Sequence, residues 1–590
     1  MIPMRDGVKL ETVILTNKDA AKPLPILFRR TPYGVPRPEH VDKPRPLGPL
    51  DADGYIVVLQ NLRGRFSSEG TFVMVRPPRD RKDPAAIDES TDAYDTIEWL
   101  LHNVPNNNGR VGMWGTSYDA WTATMAVLDP HPALKVVSEA ASPADQFLGD
   151  DFHHNGAFRL SYGFEYTALL EASKETNMQF SFDRLDTYAW YLALGPLARA
   201  NDLYFHGKMP TWNNFVAHPN RDAFWEQQAF ATHLKTTTVP ILNVGGWWDQ
   251  EDFYGPLEIY KLLEPRDTAH LNYLVVGPWN HGGWGDTGRK LGDIDFGSDT
   301  GDYFRRSVEA RWLARFLHDK EASPRPEAEV FMTGSNEWKS FESWPPSKGV
   351  TPTKLYMREG SKLSFDPPSE TGASAFDEYV SDPANPVPYV RRPIRPTYQG
   401  SEWETWQVLD QRFVDHRTDV LSWETDVLEQ DVVIAGDIVG DLFASTSGTD
   451  SDWIVKLIDV YPEEKTPPLK LGEEPKEKKG AVDLSGYQLM IAGEIMRGRF
   501  RESFAQPKAI PAGKVVEYKI GLHTNAHAFL KGHRIMVQVQ SSWFPVYDRN
   551  PQRFVDSIFA AKEGDYVKAT QRISRSRAAA SSLILPILRR

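Results

Sequence analysis

The sequence predicts an α/β domain with a parallel sheet, interrupted by a helical insertion and followed by an all-β domain. Three changes of pattern along the 590 residues lead to this prediction. Short apolar strands alternate with helical segments as far as about residue 320, a run of helical segments separates two of those strands, and short β-branched segments follow. A chain of this length is too long for a single hydrophobic core.

The strands of the predicted parallel sheet are apolar along their whole length, which is typical of strands covered on both faces. They are Leu24–Arg30, Gly54–Asn61, Gly109–Gly115, Val239–Gly246 and Leu271–Gly277. Between the second and the third, Ser90–Val104 is predicted to be a helix that Ser90 caps, because its apolar residues recur at helical spacing.

The insertion covers residues 144–235, where segments such as "TYAWYLALGPLARAN" predict helices with no strand between them. We expect it to form a cap over one end of the sheet, which leaves residues 1–143 and 236–325 for the α/β domain. Residues 326–590 contain short, partly alternating segments such as "KVVEYKIGL" and predict a β-sandwich of the jelly-roll type. Within it, Pro462–Lys479 is rich in proline and charge and predicts a solvated, mobile loop.

The composition argues against several classes of function. The formal net charge is −13 and no long basic run is present, so a nucleic-acid-binding protein is not expected. No stretch approaches roughly 18 uninterrupted apolar residues, so no membrane span is expected. The absence of cysteine excludes disulfides, thiolate catalysis and cysteine-bound zinc. No secretory leader precedes Lys9, so we expect a cytoplasmic protein, or a periplasmic or secreted one if a leader has been removed.

Ser117 stands between the strand Gly109–Gly115 and a helix-like segment, in the stretch "GRVGMWGTSYDAW". Nearby Gly112, Gly115 and Ala120 are small, as a very tight backbone turn requires. Such a turn is typical of a nucleophile elbow, which exposes a serine hydroxyl at the end of a sheet. From this stretch alone, an ordinary strand-to-helix turn with a capping serine is an equal alternative.

An acid and a histidine much later in the chain decide between these alternatives. In α/β-hydrolase sheets a catalytic serine is followed by an acid and then a histidine, each at the end of a strand. Asp249 follows the strand Val239–Gly246, and His281 follows the strand Leu271–Gly277. Order and placement therefore predict a triad in which Ser117 is the nucleophile, His281 is the base and Asp249 orients the imidazole.

Attack by a serine creates an oxyanion that needs hydrogen-bond donors. The backbone N–H of Tyr118, directly after the serine, is one predicted donor. The phenol of Tyr33, on the loop after the strand Leu24–Arg30, is a second candidate. From its spacing alone, Tyr33 is equally well a tyrosine packed into that loop.

Eight motifs together resemble one group of serine hydrolases. They are "MRDGVKL", "RTPYG", "NLRGRFSSEG", "NGRVGMWGTSYDAW", "DPHPALKVV", "GDDFHHNGAF", "GGWWDQEDFYG" and "GPWNHGG". The chain resembles the cocaine-esterase and X-prolyl-dipeptidyl-peptidase group of α/β-hydrolases, and within it looks most like the α-amino acid ester hydrolases. The resemblance implies a helical cap, a C-terminal jelly roll and an oxyanion-binding role for Tyr33. Ala120 stands where the family motif Gly-x-Ser-Tyr-x-Gly usually has its last glycine.

The resemblance also implies a binding site for a positive charge. α-Amino acid ester hydrolases bind the α-ammonium group of the substrate with a carboxylate cluster, and the matching positions here are Asp151, Glu251 and Asp252. Carboxylates crowded in a partly desolvated pocket repel one another, and a cationic amine relieves the repulsion. We expect the three acids to lie within reach of an ammonium group but not of His281. The alternative is that these acids cap helices or pair with arginine.

We therefore predict a serine hydrolase that cleaves esters, and some amides, of acyl groups bearing a free α-amine, with no metal or organic cofactor. The expected partner is a small-molecule ester or amide. The resemblance further implies acyl transfer to amines, including β-lactam nuclei, and assembly into homo-oligomers. The alternatives are a general carboxylesterase, a glutaryl-type acylase, an X-prolyl dipeptidyl peptidase, and a glycan-binding β module attached to an inactive hydrolase.

Two other groups of residues are predicted to have structural roles. Three histidines, His523, His527 and His533, lie in the predicted β domain. The spacing of the first two would suit a metal only on a helix, so we expect no metal site at these histidines. Arg63 and Arg65 are expected to tie the loop after a strand to nearby acids rather than to bind a substrate carboxylate. The β domain as a whole is expected to be structural and to form one wall of the active cleft.

Overall fold

The computed structural model describes residues 1–17, 19–36, 48–320, 325–372, 374–398, 401–464 and 482–589. Most of the predicted loop Pro462–Lys479 lies outside these residues. Within them, no helix combines the length and the apolar character that crossing a membrane requires.

The chain begins with a pair of short antiparallel strands, β1 (Ile2–Pro3) and β2 (Lys9–Leu10), and continues into the first half of a mixed sheet. The elements of that half are β3 (Thr12–Leu15), β4 (Leu24–Thr31), β5 (Ile56–Asn61), α1 (Glu89–Asn103), β6 (Asn107–Thr116), α2 (Tyr118–Met125) and β7 (Leu134–Ala140). The helix α1 is capped by Asp88 and not by Ser90 as predicted. The Asp88 carboxylate accepts from the N–H of Thr91, and Thr91 Oγ1 accepts from the N–H of Asp88, so a capping box forms at Asp88, just before the predicted cap.

The insertion after β7 is mainly helical. It contains β8 (His153–His154), β9 (Ala157–Phe158), α3 (Leu160–Glu171), α4 (Thr187–Leu194), α5 (Pro210–Ala217), α6 (Ala223–Gln228) and α7 (Phe230–His233). β8 and β9 form a small antiparallel hairpin, so the prediction that no strand lies in the insertion was wrong. The physical reason is the pair Asn155 and Gly156, whose φ angles of 45° and 79° suit a two-residue hairpin turn.

The chain then returns to the sheet and completes it. The elements are β10 (Ile241–Gly246), α8 (Tyr254–Leu263), β11 (Asn272–Gly277), β12 (Lys290–Leu291), β13 (Ile294–Asp295), α9 (Thr300–Tyr303), α10 (Ala310–Leu317), β14 (Ala328–Met332) and β15 (Glu337–Phe341). In the part of the chain that the structure describes, nine strands form this sheet in the order β15-β14-β11-β10-β7-β6-β4-β5-β3. The strands from β14 to β5 pair in parallel, and β15 and β3 are antiparallel edges.

The sheet reverses its strand order beside β4. The chain places β5 on one side of β4 and then β6 on the other. In open α/β sheets, ligands bind outside the carboxyl ends of the strands at such a reversal. The loops after β4 and β6, which carry Tyr33 and Ser117, therefore flank the expected site.

The sheet continues past the predicted boundary at residue 325, because β14 and β15 lie beyond it and belong to the sheet. Ala328–Met332 is buried along its whole length and pairs in parallel with β11. Glu337–Phe341 then pairs antiparallel with it. The sheet therefore extends to Phe341, and the change of composition near Pro324 does not coincide with its end.

The C-terminal domain consists almost entirely of β-strands. Its elements are β16 (Val350–Arg358), β17 (Lys362–Ser364), β18 (Phe376–Ser381), α11 (Ser401–Thr405), β19 (Leu421–Glu424), β20 (Val432–Thr446), β21 (Asp452–Val460), β22 (Gln488–Arg497), β23 (Val516–Phe529), β24 (Arg534–Gln540), β25 (Ala569–Ser576), β26 (Ala579–Ala580) and β27 (Ser582–Leu588). The C-terminal domain packs directly on the α/β domain and on the cap. Trp248 Nε1 of the α/β domain donates to the carbonyl of Met490 at 2.8 Å. The N–H of Ser161 in the cap donates to the carbonyl of Pro545 at 3.0 Å.

Candidate active site

Ser117 occupies a sharp turn between β6 and α2. Its φ and ψ angles are 61° and −130°, a combination that costs a residue with a Cβ about 1–3 kcal/mol. The N–H of Ser117 donates to the carbonyl of Ala140 at 2.9 Å and holds the turn. A Cβ at Gly115 would lie 2.4 Å from the carbonyl carbon of Asp119, so only glycine fits there. Ala120 is fully buried, and the elbow forms although this position is not glycine.

Asp249 and His281 follow the ends of two neighbouring strands. β10 and β11 pair in parallel and end at the same level, so the loops after them leave the sheet side by side. Nδ1 of His281 lies 3.0 and 3.1 Å from the two carboxylate oxygens of Asp249. Asp249 is buried and also accepts from the N–H groups of Glu251 and Asp252, at 2.9 and 3.0 Å. The structure thus brings the predicted acid and the predicted base together.

The hydroxyl of Ser117 is bonded to a carboxylate and not to the imidazole. Among the described residues, its hydrogen-bond partner is Asp252, whose Oδ2 lies 3.4 Å from Ser117 Oγ. Nε2 of His281, the atom that a serine base would use, lies 3.6 Å from Oε2 of Glu251. The expectation that the acids would be out of reach of His281 was therefore wrong for Glu251. The reason is local: the N–H of Glu251 is bonded to Asp249, so both acids sit beside the same imidazole.

Tyr33 lies on the loop after β4, the strand that neighbours β6. Its hydroxyl is 2.7 Å from the hydroxyl of Tyr166, on α3 of the cap. Burial raises the pKa of Tyr33 well above its ordinary value, so the phenol keeps its proton and remains a donor. The N–H of Tyr118 is the first in α2 and has no acceptor within that helix. Both predicted donors are therefore placed at the carboxyl edge of adjacent strands.

Arg63 and Arg65 hold the loop after β5 in different ways. Nε of Arg63 donates to Asp92 at 2.6 Å, in the predicted tie to an acid. Arg65 forms no ion pair among the described residues, so the prediction was wrong for it. Its guanidinium donates to the carbonyls of Pro32, at 2.9 Å, and Leu170, at 2.6 Å. The carbonyls at the end of α3 lack helical partners, and an arginine fork satisfies them; this links the Tyr33 loop to the cap.

The carboxylate cluster, defined here as Asp151, Glu251 and Asp252, lies beside Ser117 and His281. Oη of Tyr162 lies 2.7 Å from Oδ1 of Asp151 and 3.1 Å from Oε2 of Glu251. Asp151 and Asp252 are buried, and Glu251 is partly buried. Within the described ranges, no lysine or arginine side chain forms an ion pair with any of the three; their one ion-pairing partner is the imidazole. The alternative of arginine pairing is therefore not supported.

The sequence did not indicate the residues that hold the cluster in place. Trp403 Nε1 donates to Oε1 of Glu251 at 2.7 Å, and Gln146 Nε2 donates to Oδ2 of Asp151 at 3.0 Å. Arg159 lies close by, but its NH1 group donates to the backbone carbonyl of Glu251 at 3.2 Å. Trp403 belongs to the C-terminal domain and is 152 positions from its partner, so no local pattern could have revealed this contact. The C-terminal domain thus contributes a side chain to the site.

The electrostatic state of the site follows from burial and crowding. Burial, together with the charges of Asp151 and the other acids, raises the pKa of Asp252 well above its ordinary value. Burial also raises the pKa of Asp151. Burial lowers the pKa of His281, but Asp249 and Glu251 outweigh this effect and raise it to about 9. Oδ1 of Asp252 is buried and has no hydrogen-bond partner in the described part of the chain. The site therefore favours an additional positive charge.

The histidines of the C-terminal domain pair with buried carboxylates. His527 and His533 share Asp459, at 3.2 and 2.8 Å. His523 instead contacts Glu494, at 2.5 Å. The three predicted histidines therefore do not form one group. Glu494 also contacts His154 of the cap, and the three ligand atoms of His154, Glu494 and His523 lie within 4.8 Å of one another, close enough to hold a metal ion.

Comparison with known proteins identifies the family. Residues 6–283 match the family model described as X-Pro dipeptidyl-peptidase (S15 family), and residues 320–584 match the X-Pro dipeptidyl-peptidase C-terminal non-catalytic domain. Cocaine esterase of Rhodococcus sp. is 30% identical over 627 residues, which cover 100% of this chain and 98% of that protein.

Two solved structures are similar over 100% of this chain and 95% of their own. One is an aminopeptidase from the marine sediment archaeon Thaumarchaeota archaeon, with 43% sequence identity and a TM-score of 0.93. The other is an α-amino acid ester hydrolase, with 42% identity and a TM-score of 0.91. Since family models match both domains and cocaine esterase is similar from end to end, the chain belongs to the X-Pro dipeptidyl-peptidase (S15) family and is a serine hydrolase of the cocaine esterase group.

Proposed function

We propose that this enzyme hydrolyses esters and amides whose acyl group carries a free α-amine. The observation that carries the proposal is the carboxylate cluster, which lies beside Ser117 and forms no ion pair with a lysine or arginine among the described residues. An α-ammonium group bound there gains about 1.5–3 kcal/mol from each charge-assisted hydrogen bond. The similar α-amino acid ester hydrolase and aminopeptidase support the proposal, because an α-amino acid ester and a peptide N-terminus both present an α-amine next to the scissile carbonyl.

The proposed reaction passes through an acyl-enzyme. Ser117 Oγ attacks the acyl carbon, His281 Nε2 takes the hydroxyl proton, and Asp249 stabilises the imidazolium. The oxyanion accepts hydrogen bonds from the N–H of Tyr118 and the hydroxyl of Tyr33. His281 then protonates the leaving alcohol or amine. Water, activated by the same imidazole, hydrolyses the acyl-enzyme and restores the serine.

Transfer of the acyl group to an added amine is the second proposed fate of the acyl-enzyme. An amine nucleophile, including the amine of a β-lactam nucleus, replaces water in the second step. The ratio of transferred to hydrolysed product is expected to rise with amine concentration while release of the first leaving group stays constant. A ratio that does not rise would limit the enzyme to hydrolysis.

The similarity to an aminopeptidase favours a second candidate with the same amine recognition. In that case the natural substrates are peptides, and the N-terminal residue is the acyl group. An ester and a dipeptide that share one α-amino acyl group distinguish the two candidates. A kcat/KM at least about 10²-fold higher for the ester favours the ester hydrolase, and comparable values favour the aminopeptidase.

The amine requirement itself is tested by three esters with one leaving group. The first carries the α-amine, the second lacks it, and the third carries an N-acetyl group in its place. Loss of the charge is expected to lower kcat/KM by about 10²-fold or more, since at least one strong contact is lost and buried carboxylates stay unpaired. Equal values for the three esters would contradict the proposal and favour the general carboxylesterase.

A further inference from the structure

In the structure, the nucleophile and the base each contact the carboxylate cluster: the Ser117 hydroxyl donates a hydrogen bond to Asp252, and the His281 imidazole forms an ion pair with Glu251. Ser117 Oγ lies 3.4 Å from Asp252 Oδ2, and His281 Nε2 lies 3.6 Å from Glu251 Oε2. A general base acts only when it reaches the hydroxyl whose proton it takes, at about 2.6–3.2 Å. The cluster thus contacts Ser117 Oγ and His281 Nε2, the two atoms between which the proton must pass.

The contacts of Glu251 allow it to change partner with a small movement. Its Oε1 is fixed by the indole N–H of Trp403 at 2.7 Å. Its Oε2 lies between the hydroxyl of Tyr162, at 3.1 Å, and the imidazole of His281, at 3.6 Å. An ammonium group next to this oxygen would draw it from the imidazole while the Trp403 contact remains. Asp252 can also accept a further hydrogen bond, because its buried Oδ1 has no partner within the described residues.

We propose that in the free enzyme the carboxylate cluster keeps Ser117 and His281 from contacting each other, and that the α-ammonium group of the substrate releases them to each other by engaging Glu251 and Asp252. The proposal rests on the proposed function, since it assumes that the substrate amine binds in this cluster. It adds that the amine does more than bind: it also brings Ser117 and His281 into contact. The cluster withholds catalysis from esters that lack the amine, even when such esters occupy the site.

The charges around His281 act in the same direction as the contacts. Asp249 and Glu251 face it from the loop after β10, and Asp151 faces it from the cap side. Arg159 of the cap lies behind Glu251 and bonds to its backbone carbonyl. With a pKa of about 9, the imidazole is neutral in only about one molecule in a hundred at pH 7. An added ammonium charge opposes the field of the acids, so His281 loses its Nε2 proton to solvent and becomes able to accept the proton of Ser117.

The Glu251→Gln variant tests the proposal, because it removes the charge while keeping the shape of the side chain. For the ester that lacks the amine, the variant is expected to raise kcat at pH 7 by about tenfold, the effect of lowering the pKa of His281 by about one unit. For the α-amino ester, the same variant is expected to lower kcat/KM. If the cluster only binds the amine, only the second change is expected. An unchanged or lower kcat for the ester without the amine would therefore overturn the proposal.

Two further variants make this result specific. Glu258→Gln removes one charge from α8, where Glu258 lies 3.9 Å from Lys261, and is expected to change neither rate. If Glu251→Gln does not fold, Asp252→Asn replaces it; it removes the carboxylate that holds the Ser117 hydroxyl, so kcat for the ester without the amine is expected to rise. No rise in that variant would contradict the release of Ser117.

The pH dependence of kcat, which reports the enzyme–substrate complex, gives an independent reading. In the wild-type enzyme, the ester without the amine is expected to reach half-maximal kcat near pH 9, and the α-amino ester at least about one pH unit lower. Identical midpoints would overturn the inference. The proposed function fails separately, through equal kcat/KM values for the two esters.

Discussion

Two groups of buried carboxylates in this enzyme differ in whether arginine side chains compensate their charge. Glu89 and Asp92, on α1, are compensated by arginine: Arg30 contacts them at 2.7 and 3.3 Å, and Arg63 contacts Asp92 at 2.6 Å. The carboxylate cluster of the candidate active site forms no such pair in the described part of the chain and contacts the imidazole of His281 instead. Both groups are largely inaccessible to water.

The difference indicates which group is structural and which is kept for a ligand. A buried charge that loses its partner costs several kcal/mol, so structural acids are found paired. Acids that remain unpaired in a cleft, with shifted pKa values, are typical of functional sites. The free energy that the protein gives up there is recovered when a cationic group binds.

The largest expected effect concerns the nucleophile. If the cluster serves a reaction at Ser117, Ser117→Ala loses on the order of 10⁴-fold or more in kcat, because the attacking atom is gone while the fold remains. A fluorophosphonate probe should label Ser117 and fail to label the variant. Labelling at another residue would show that the carboxylate cluster does not lie beside the reacting atom.

The paired group is expected to respond strongly in stability and not in selectivity. Arg30→Met leaves Glu89 and Asp92 with less compensation and is expected to lower the free energy of unfolding by about 3–5 kcal/mol. Denaturant unfolding measures this loss. The preference for α-amino esters over esters without the amine should remain, and its loss would show that the two groups of acids are not independent. If the variant does not fold, the milder Asp92→Asn takes its place.

The oxyanion donors give an intermediate effect. Tyr33→Phe removes one hydroxyl and is expected to lower kcat by roughly 10²–10³-fold, as for other single donors. The amine preference is expected to remain, since the hydroxyl contacts Tyr166 and not the cluster. An effect below about threefold would mean that the Tyr33 hydroxyl does not face the oxyanion.

The smallest effect has the opposite sign to that of Arg30. The pKa of Asp252 is raised in the folded state, so the folded enzyme binds this proton more tightly than the unfolded chain. Stability therefore falls as pH rises from the ordinary carboxyl range through the raised pKa. Asp252→Asn cannot ionise and is expected to be more stable than wild type above that window. Thermal unfolding at several pH values tests this; a variant less stable at every pH would show that Asp252 is compensated.

The sequence predicted those parts of the site that depend on position along strands. Ser117, Asp249 and His281 follow β6, β10 and β11 in the order that the fold requires, and the alternation of strands and helices predicted the sheet. The end of the sheet was missed because β14 and β15 are joined to it by pairing with β11 and each other, which local composition does not encode. The same limit applies to side chains that come from distant segments.

Trp403 and Arg65 illustrate that limit. Trp403 reaches Glu251 only because the C-terminal domain packs on the cap and the sheet, and its own neighbourhood in the sequence has no catalytic motif. Arg65 was predicted to meet an acid, but it lies against the carbonyl end of α3 after the cap is folded over the loop. The contacts of Ser117 with Asp252 and of His281 with Glu251 are likewise visible only in three dimensions.

A crystal structure of Ser117→Ala with a bound α-amino acid amide shows whether the carboxylate cluster is kept for an α-ammonium group. We expect the amine nitrogen to lie about 2.7–3.2 Å from oxygens of at least two of Asp151, Glu251 and Asp252. We also expect Glu251 Oε2 to have moved away from Nε2 of His281. An amine that points to solvent or binds elsewhere, with the cluster unchanged, would show that the cluster does not bind the ammonium group.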